Sequence, residues 1–354
     1  MAEASEATRQ LGEDCGTAFR ALESGGFPVE IRHFRLAGQL VRMRAAGRLL
    51  ADAITASWAH LACDADPAEE AALRIELIDR EETGVAPAGG VDTVSGDEPP
   101  SEWHMRALYS TDGRFVCQYV PASGSLWCLD RETSTITGST GSAAGLSIME
   151  RGKPFQPLLS FWLNQGKRQL LHAGLVAPNG VGIVVPGSSG SGKSTTALCC
   201  LLGGFDYLGD DYLVLEQLAA GGFEGHSLYA SAWLNHDHLH RFPALEPFVI
   251  RGRYAMDNKA MVLATQVRPG QIRLRTRIRH IVLPTVTGQG PTRLRPATRG
   301  EALRKMAPSC VMMSPRLGPE GFQTLTKLVQ SAECHWLEIG EGVDGIAPAL
   351  EALG

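Results

Sequence analysis

The chain has 354 residues, of which 44% are hydrophobic and 20% charged, and it carries a formal net charge of −5. That balance supports a sizeable core and excludes a disordered chain, while the acidic excess argues against general nucleic-acid binding. No apolar run approaches the roughly 18 residues that a membrane span needs. The polar, acidic start MAEASEATRQLGEDCG lacks the pattern of a secretory signal.

A cytoplasmic protein without a membrane partner is therefore expected. Eight cysteines are scattered along the chain, Cys199 and Cys200 being adjacent, and reduced thiols are the expectation. No Cys-x-x-Cys spacing occurs, so a zinc site of that kind is not expected.

In chain order, residues 1–14 read as a loose tail and residues 15–150 as an N-terminal α+β subdomain. The segment 34–61 begins as a strand, and its second half has helical spacing at Leu49, Leu50, Ile54 and Trp58. Residues 71–79 alternate as a strand. Residues 84–101, rich in Gly, Pro and acids, read as a surface loop or linker. Short β-like runs follow over 103–146, including RFVCQYV and SLWCL.

A second domain is placed at 151–354. It opens with a helix over 154–169, apolar at Leu158, Leu159 and Trp162, and a strand over 170–177 that holds His172. A histidine can serve a core, a surface or a site equally well. Its place shortly before the next motif, together with the family resemblance given below, suggests a role near phosphates, as a charge or hydrogen-bond donor and not as a covalent carrier.

That motif is Gly187-Ser188-Ser189-Gly190-Ser191-Gly192-Lys193-Ser194, which fits the P-loop pattern and is continued by Thr195. The apolar run Gly182–Pro186 before it reads as a buried strand, and TTALCCLL after it as an apolar helix ended by Gly203-Gly204. Glycines let backbone N–H groups turn inward toward phosphate oxygens, and the helix adds the positive end of its dipole. Lys193 is expected at the β- and γ-phosphates and Ser194 on Mg2+. Asp210 and Asp211 then close the run FDYLGDDY. A carboxylate there suits a metal group or a base near the γ-phosphate. Neighbours on a strand point to opposite faces, so the two aspartates are expected to have separate roles.

The order LHAGLV, GSSGSGKST, GDDYLVL resembles the C-terminal catalytic domain of HPr kinase/phosphorylase, and more closely the HPr-kinase-like serine kinases found with modified peptides such as lasso peptides. The resemblance covers roughly residues 154–216 and is diffuse beyond them. It implies an α/β fold with a P-loop kinase core of the HPr kinase/PEP carboxykinase type. It also implies ATP and Mg2+ as cofactors and phosphoryl transfer to a serine hydroxyl. By the family's pattern Asp210 would be the catalytic acid/base and Asp211 would hold Mg2+ or orient that centre, with His172 and Lys193 beside them.

Further along, His236, His238 and His240 fall in a segment that looks more helical than extended, which would scatter them. Lys259 is either an added positive charge for the site or an exposed strand-start lysine. Between Arg268 and Lys305 ten basic residues face one acid, Glu301. Arg273, Arg275, Arg277 and Arg279 alternate with other residues, which puts four guanidiniums on one strand face. That face could meet phosphates or an acidic peptide, or it could be a charged sheet edge. Thr298 and Glu301 have capping-box spacing, and helix, strand and a last short helix complete the chain.

The chain departs from HPr kinase in its N-terminal region, in lacking a recognisable glycine-rich carboxylate segment after the aspartates, and in having only Arg268-Pro269-Gly270 near the recognition loop. A serine on a peptide or protein is thus the expected acceptor, and a homo-oligomer is allowed. A small-molecule hydroxyl kinase and an ATP-dependent switch without transfer are the alternatives.

Overall fold

The computed structural model describes residues 5–88, 106–164, 167–188, 190–252, 258–313 and 319–354. The chain forms two compact units that divide between Trp162 and Leu163. Residues 151–162 therefore go with the first unit, later than the expected boundary.

The first unit begins with a helix, not a tail: α1 spans Glu6–Ser24, and the Thr8 N–H donates to the Ser5 side chain at its start. Leu11, Cys15, Phe19 and Leu22 recur at helical spacing and are all buried, a stripe that its polar neighbours mask in composition. Then come β1 (Glu30–Leu36), β2 (Gln39–Ala46), α2 (Arg48–Thr55), β3 (Leu73–Asp79), the single turn α3 (Arg80–Thr83), β4 (Arg106–Tyr109), β5 (Phe115–Val120), β6 (Ser125–Asp130), β7 (Thr135–Thr140) and α4 (Ile148–Gly152). The seven strands make one sheet in the order β1-β2-β3-β7-β6-β5-β4.

One face of this sheet takes α1, with Leu11 and Cys15 clustering on Cys117, Tyr119, Leu126 and Cys128. The rings of Phe34, Trp58, Phe155 and Trp127 meet edge-on or tilted in a second cluster, with neighbouring centroids 5.5–6.0 Å apart. Leu50, Ile54 and Trp58 recur every four residues and are buried, whereas Leu49, about 100° round the helix from Leu50, is exposed; a 3-10 segment, Ala56–Leu61, follows α2. Cys117 and Cys128 are directly paired across β5 and β6 and form a disulfide. This corrects the expectation of reduced thiols throughout; two residues 11 apart in sequence meet only through the hairpin register. Of the expected linker, residues 84–88 are loop and 89–101 lie outside the described residues.

Helix α5 (Gln156–Leu163) leads into the second unit. There follow β8 (Arg168–Leu171), β9 (Ala173–Ala177), β10 (Gly182–Pro186), α6 (Lys193–Leu202), β11 (Asp206–Gly209), β12 (Leu213–Gln217), β13 (Phe223–Ser227), β14 (Ser231–Asn235), β15 (Lys259–Leu263), the turn α7 (Ala264–Val267), β16 (Arg275–Val286), β17 (Arg293–Pro296), α8 (Arg299–Met313), α9 (Pro319–Ser331), β18 (Glu333–Ile339) and α10 (Ile346–Glu351).

The main sheet runs β11-β9-β10-β16-β13-β12-β8, with β18 on β16 and β17 on β18. Strands β10, β16 and β18 are parallel; β10 is buried throughout and β16 is buried over Ile281–Pro284, as the middle of a parallel sheet is. Ile183, Val185, Val282 and Leu337 pack toward α6 and α10. Val184, Ile281 and Leu283 pack toward α8 and α9. The unit is an α/β layered fold. At its start α8 carries the expected capping box: the Thr298 N–H donates to Glu301 Oε2 and the Glu301 N–H to Thr298 Oγ1.

Candidate active site

The P-loop sequence joins β10 to α6. Gly190 and Gly192 have φ of +80° and +99°, left-handed values that favour glycine. A Cβ at Gly192 would also lie 2.8 Å from Ile339 Cδ1. Gly187 has no space for a side chain either, since a Cβ there would run into Ser191 Oγ. Ser191 Oγ is buried and has no hydrogen-bond partner among the described residues. Gly187 and Ser188 leave β10, whereas Ser189 lies outside the described residues. Ser194 and Thr195, half-buried, occupy the first turn of α6, where the free backbone N–H groups of a helix start are found.

Lys193 is the first residue of α6 and is only 6% exposed. Its Nζ donates to the Asp210 carbonyl oxygen at 2.9 Å and to Asp211 Oδ1 at 2.5 Å, with Asp210 Oδ1 at 3.5 Å. Burial disfavours the ammonium, but the two carboxylates outweigh it and hold its pKa above the ordinary lysine value.

The aspartates do not alternate as strand residues. β11 ends at Gly209 after a register shift, so the pair lies in the bend beyond it and both carboxylates turn toward one ammonium. That corrects the opposite-face expectation. They still differ. Asp210 is 1% exposed, and its Oδ2 accepts the Trp233 N–H at 2.9 Å. Asp211 is partly exposed, and its Oδ1 lies 2.9 Å from His172 Nε2. A carboxylate only accepts, so Nε2 carries the proton in that bond.

His172 interrupts what reads in sequence as one strand. β8 ends at Leu171 and pairs with β12, while β9 starts at Ala173 and pairs with β10 and β11. The histidine stands at the switch, which turns its ring out of either ladder. Its Nδ1 is buried with no hydrogen-bond partner among the described residues, and its ring centroid lies 5.1 Å from that of Tyr212.

Thus His172, Lys193, Asp210 and Asp211, distant in sequence, meet where the P-loop enters its helix. Two participants escape a reading of side-chain chemistry. Tyr212 follows the aspartates directly and could have been flagged by adjacency. The Trp233 N–H is a backbone group and leaves no signal.

Other candidates fall elsewhere. His236, His238 and His240 lie in a 3-10 segment and join no metal-type group among the described residues. Lys259 is half-buried at the start of β15, opposite Asn235. Arg275, Arg277 and Arg279 do alternate outward from buried Thr276 and Ile278. Their strand lies inside the sheet and not at its edge. Arg273 and Arg275 pair locally with Asp206 and Glu224.

Among the described residues no helix is long and apolar enough to cross a membrane. No protein-family model matches the chain, and no curated protein matches it. Among solved structures, the HPr(Ser) kinase/phosphatase from Coxiella burnetii aligns over 52% of this chain and 93% of its own, with 11% identity and a TM-score of 0.29.

Proposed function

We propose that this chain is an ATP-dependent kinase that transfers the γ-phosphoryl group to a serine hydroxyl of a peptide or protein. The observation that carries the reading is a single ammonium, Lys193 Nζ, shared by Asp210 and Asp211 at the entrance of a glycine loop and its helix. The P-loop pattern supplies the phosphate site. Ser191 Oγ and His172 Nδ1 are polar atoms available to complete it.

Ser194, in the first turn of α6, is suited to hold Mg2+. When bound, the metal would neutralise charge on the phosphates. In the free chain Lys193 is held by the carboxylates; on nucleotide binding it exchanges part of that contact for phosphate oxygens and releases Asp211. The serine Oγ then forms its bond to phosphorus as the bond to ADP breaks, and the hydroxyl proton passes to Asp211. His172 holds that carboxylate in position. Positioning and electrostatics supply most of the acceleration in such reactions. The burial of Asp210 and its bond to Trp233 favour an anchoring role for it, so the acid/base role moves from Asp210 to Asp211.

A transfer assay with γ-labelled ATP tests this, using a serine peptide encoded beside the gene. Label on the peptide that disappears with Asp211→Asn supports the reading. Label on metabolites alone would make the chain a small-molecule kinase, and release as phosphate alone would make it a switch.

A further inference from the structure

One group of side chains away from the P-loop has the arrangement of metal ligands. On the parallel strands β16 and β18, His280 is level with Glu333 and Val282 with His335. Level residues of paired strands share a face, as do residues two apart on one strand. His280, Glu333 and His335 therefore stand together, on the face where Val282 and Leu337 pack toward α6 and α10.

The atoms converge. His280 Nδ1 lies 3.3 Å from His335 Nε2. Glu333 Oε2 lies 3.8 Å from the first and 3.9 Å from the second. Ligand atoms around a tetrahedral zinc, at about 2.05 Å from the metal, are about 3.3 Å apart. The two imidazoles already match that edge, and Glu333 is 77% exposed and can move in from solvent.

Burial lowers the pKa of both histidines, so each offers a neutral ring. Arg279 is the nearby cation that opposes a metal, and the Glu333 carboxylate offsets it.

We propose that His280, His335 and Glu333 bind a divalent transition metal of the zinc class, with water completing the coordination. Imidazole suits zinc and not Mg2+, which prefers oxygen ligands. The site is separate from the nucleotide end of the sheet. Pro284 and Val286, further along β16, pack at Gly192, and His280 lies about 13 Å before Pro284 at roughly 3.3 Å per residue. The metal would clamp β16 to β18 and stabilise the native chain without entering the chemistry.

The second histidine–carboxylate group, Glu216, Glu224 and His226, does not qualify. Arg168 and Arg275 already neutralise its carboxylates.

The test is calorimetric titration of the untagged, chelator-treated full chain with Zn2+, in excess Mg2+ and ADP so that the P-loop is occupied. One equivalent should bind with a Kd of about 1 μM or tighter, about −8 kcal/mol, and should raise the melting temperature. His335→Asn should weaken uptake by more than the roughly 10–100-fold that loss of an outer-shell partner costs. Glu333→Gln, at an exposed position that leaves folding intact, should weaken it as well, while peptide phosphorylation stays unchanged. Absence of uptake by the unsubstituted chain would overturn the proposal. So would uptake that neither substitution alters.

Discussion

The second unit contains two partly buried groups of similar composition and different build. In the hairpin of β12 and β13, His226 Nε2 meets Glu216 at 2.9 Å and Glu224 at 3.5 Å. Each of those carboxylates has a guanidinium of its own, Arg168 at 3.3 Å and Arg275 at 3.5 Å. They stand on a regular ladder, with Glu216 opposite Glu224. Burial lowers the His226 pKa against the pull of Glu224 and Glu216, so the ring stays neutral and the charges balance.

At the P-loop, among the described residues, Lys193 meets both aspartates and His172 meets Asp211, the chain has left its ladders, and Ser191 Oγ and His172 Nδ1 lack hydrogen-bond partners. A balanced ion group on a ladder is complete in itself. A shared cation at strand ends has a use for another ligand. Perturbed titration accompanies both groups, the His226 pKa being lowered and the Lys193 pKa raised, so titration alone does not tell them apart.

Lys193→Met should break the second group most severely. Transfer should fall at least 10²–10³-fold, roughly the cost of one electrostatic donor. The chain should also lose about 3–5 kcal/mol of stability, because the buried Asp210 loses its cation. Retention of full transferase activity would refute the mechanism.

Asp211→Asn comes next. Loss of a general base should lower kcat by roughly 10²–10⁴-fold with nucleotide affinity little changed. A raised Mg2+ requirement with kcat recovered at high Mg2+ would instead make Asp211 a metal ligand.

Asp210→Asn keeps an oxygen for the Trp233 N–H and should cost less activity than Asp211→Asn, about tenfold if it only anchors. An equal or greater loss would return the base role to Asp210.

In the hairpin group, Glu216→Gln should leave transfer unchanged and cost about 1 kcal/mol of stability in a denaturant titration. Any loss of phosphorylation there would erase the distinction between the two groups.

The smallest effect concerns pH. The folded pKa of His226 is below its ordinary 6.5, so the unfolded chain binds the proton first. The stability from His226 is complete above about pH 6.5 and declines as pH falls from there toward the folded value. Melting curves of His226→Gln should show less loss over that interval than the unsubstituted chain. Identical curves would place the titration elsewhere.

Local features were legible from sequence. The strand Gly182–Pro186 and the Thr298–Glu301 box lie where pattern and capping chemistry put them, and the helix expected over Thr195–Leu202 is present and begins two residues earlier, at Lys193, because each signal is contained in a few contiguous residues. The first helix was missed because its stripe of Leu11, Cys15, Phe19 and Leu22 is diluted among polar residues. The alternating arginines were legible as a face, but not as part of an interior strand.

By itself the sequence determined that a glycine loop would join a buried strand to an apolar helix over Thr195–Leu202, and that two carboxylates would follow at the end of the next apolar run. Tertiary structure alone decided that Asp210 is sealed under Trp233 while Asp211 meets His172, that Cys117 faces Cys128, and that His280 meets His335 across 55 residues. The reason is physical. Backbone conformation answers to nearest neighbours, whereas burial, register and the meeting of distant side chains follow from which segments pair once the whole core is packed.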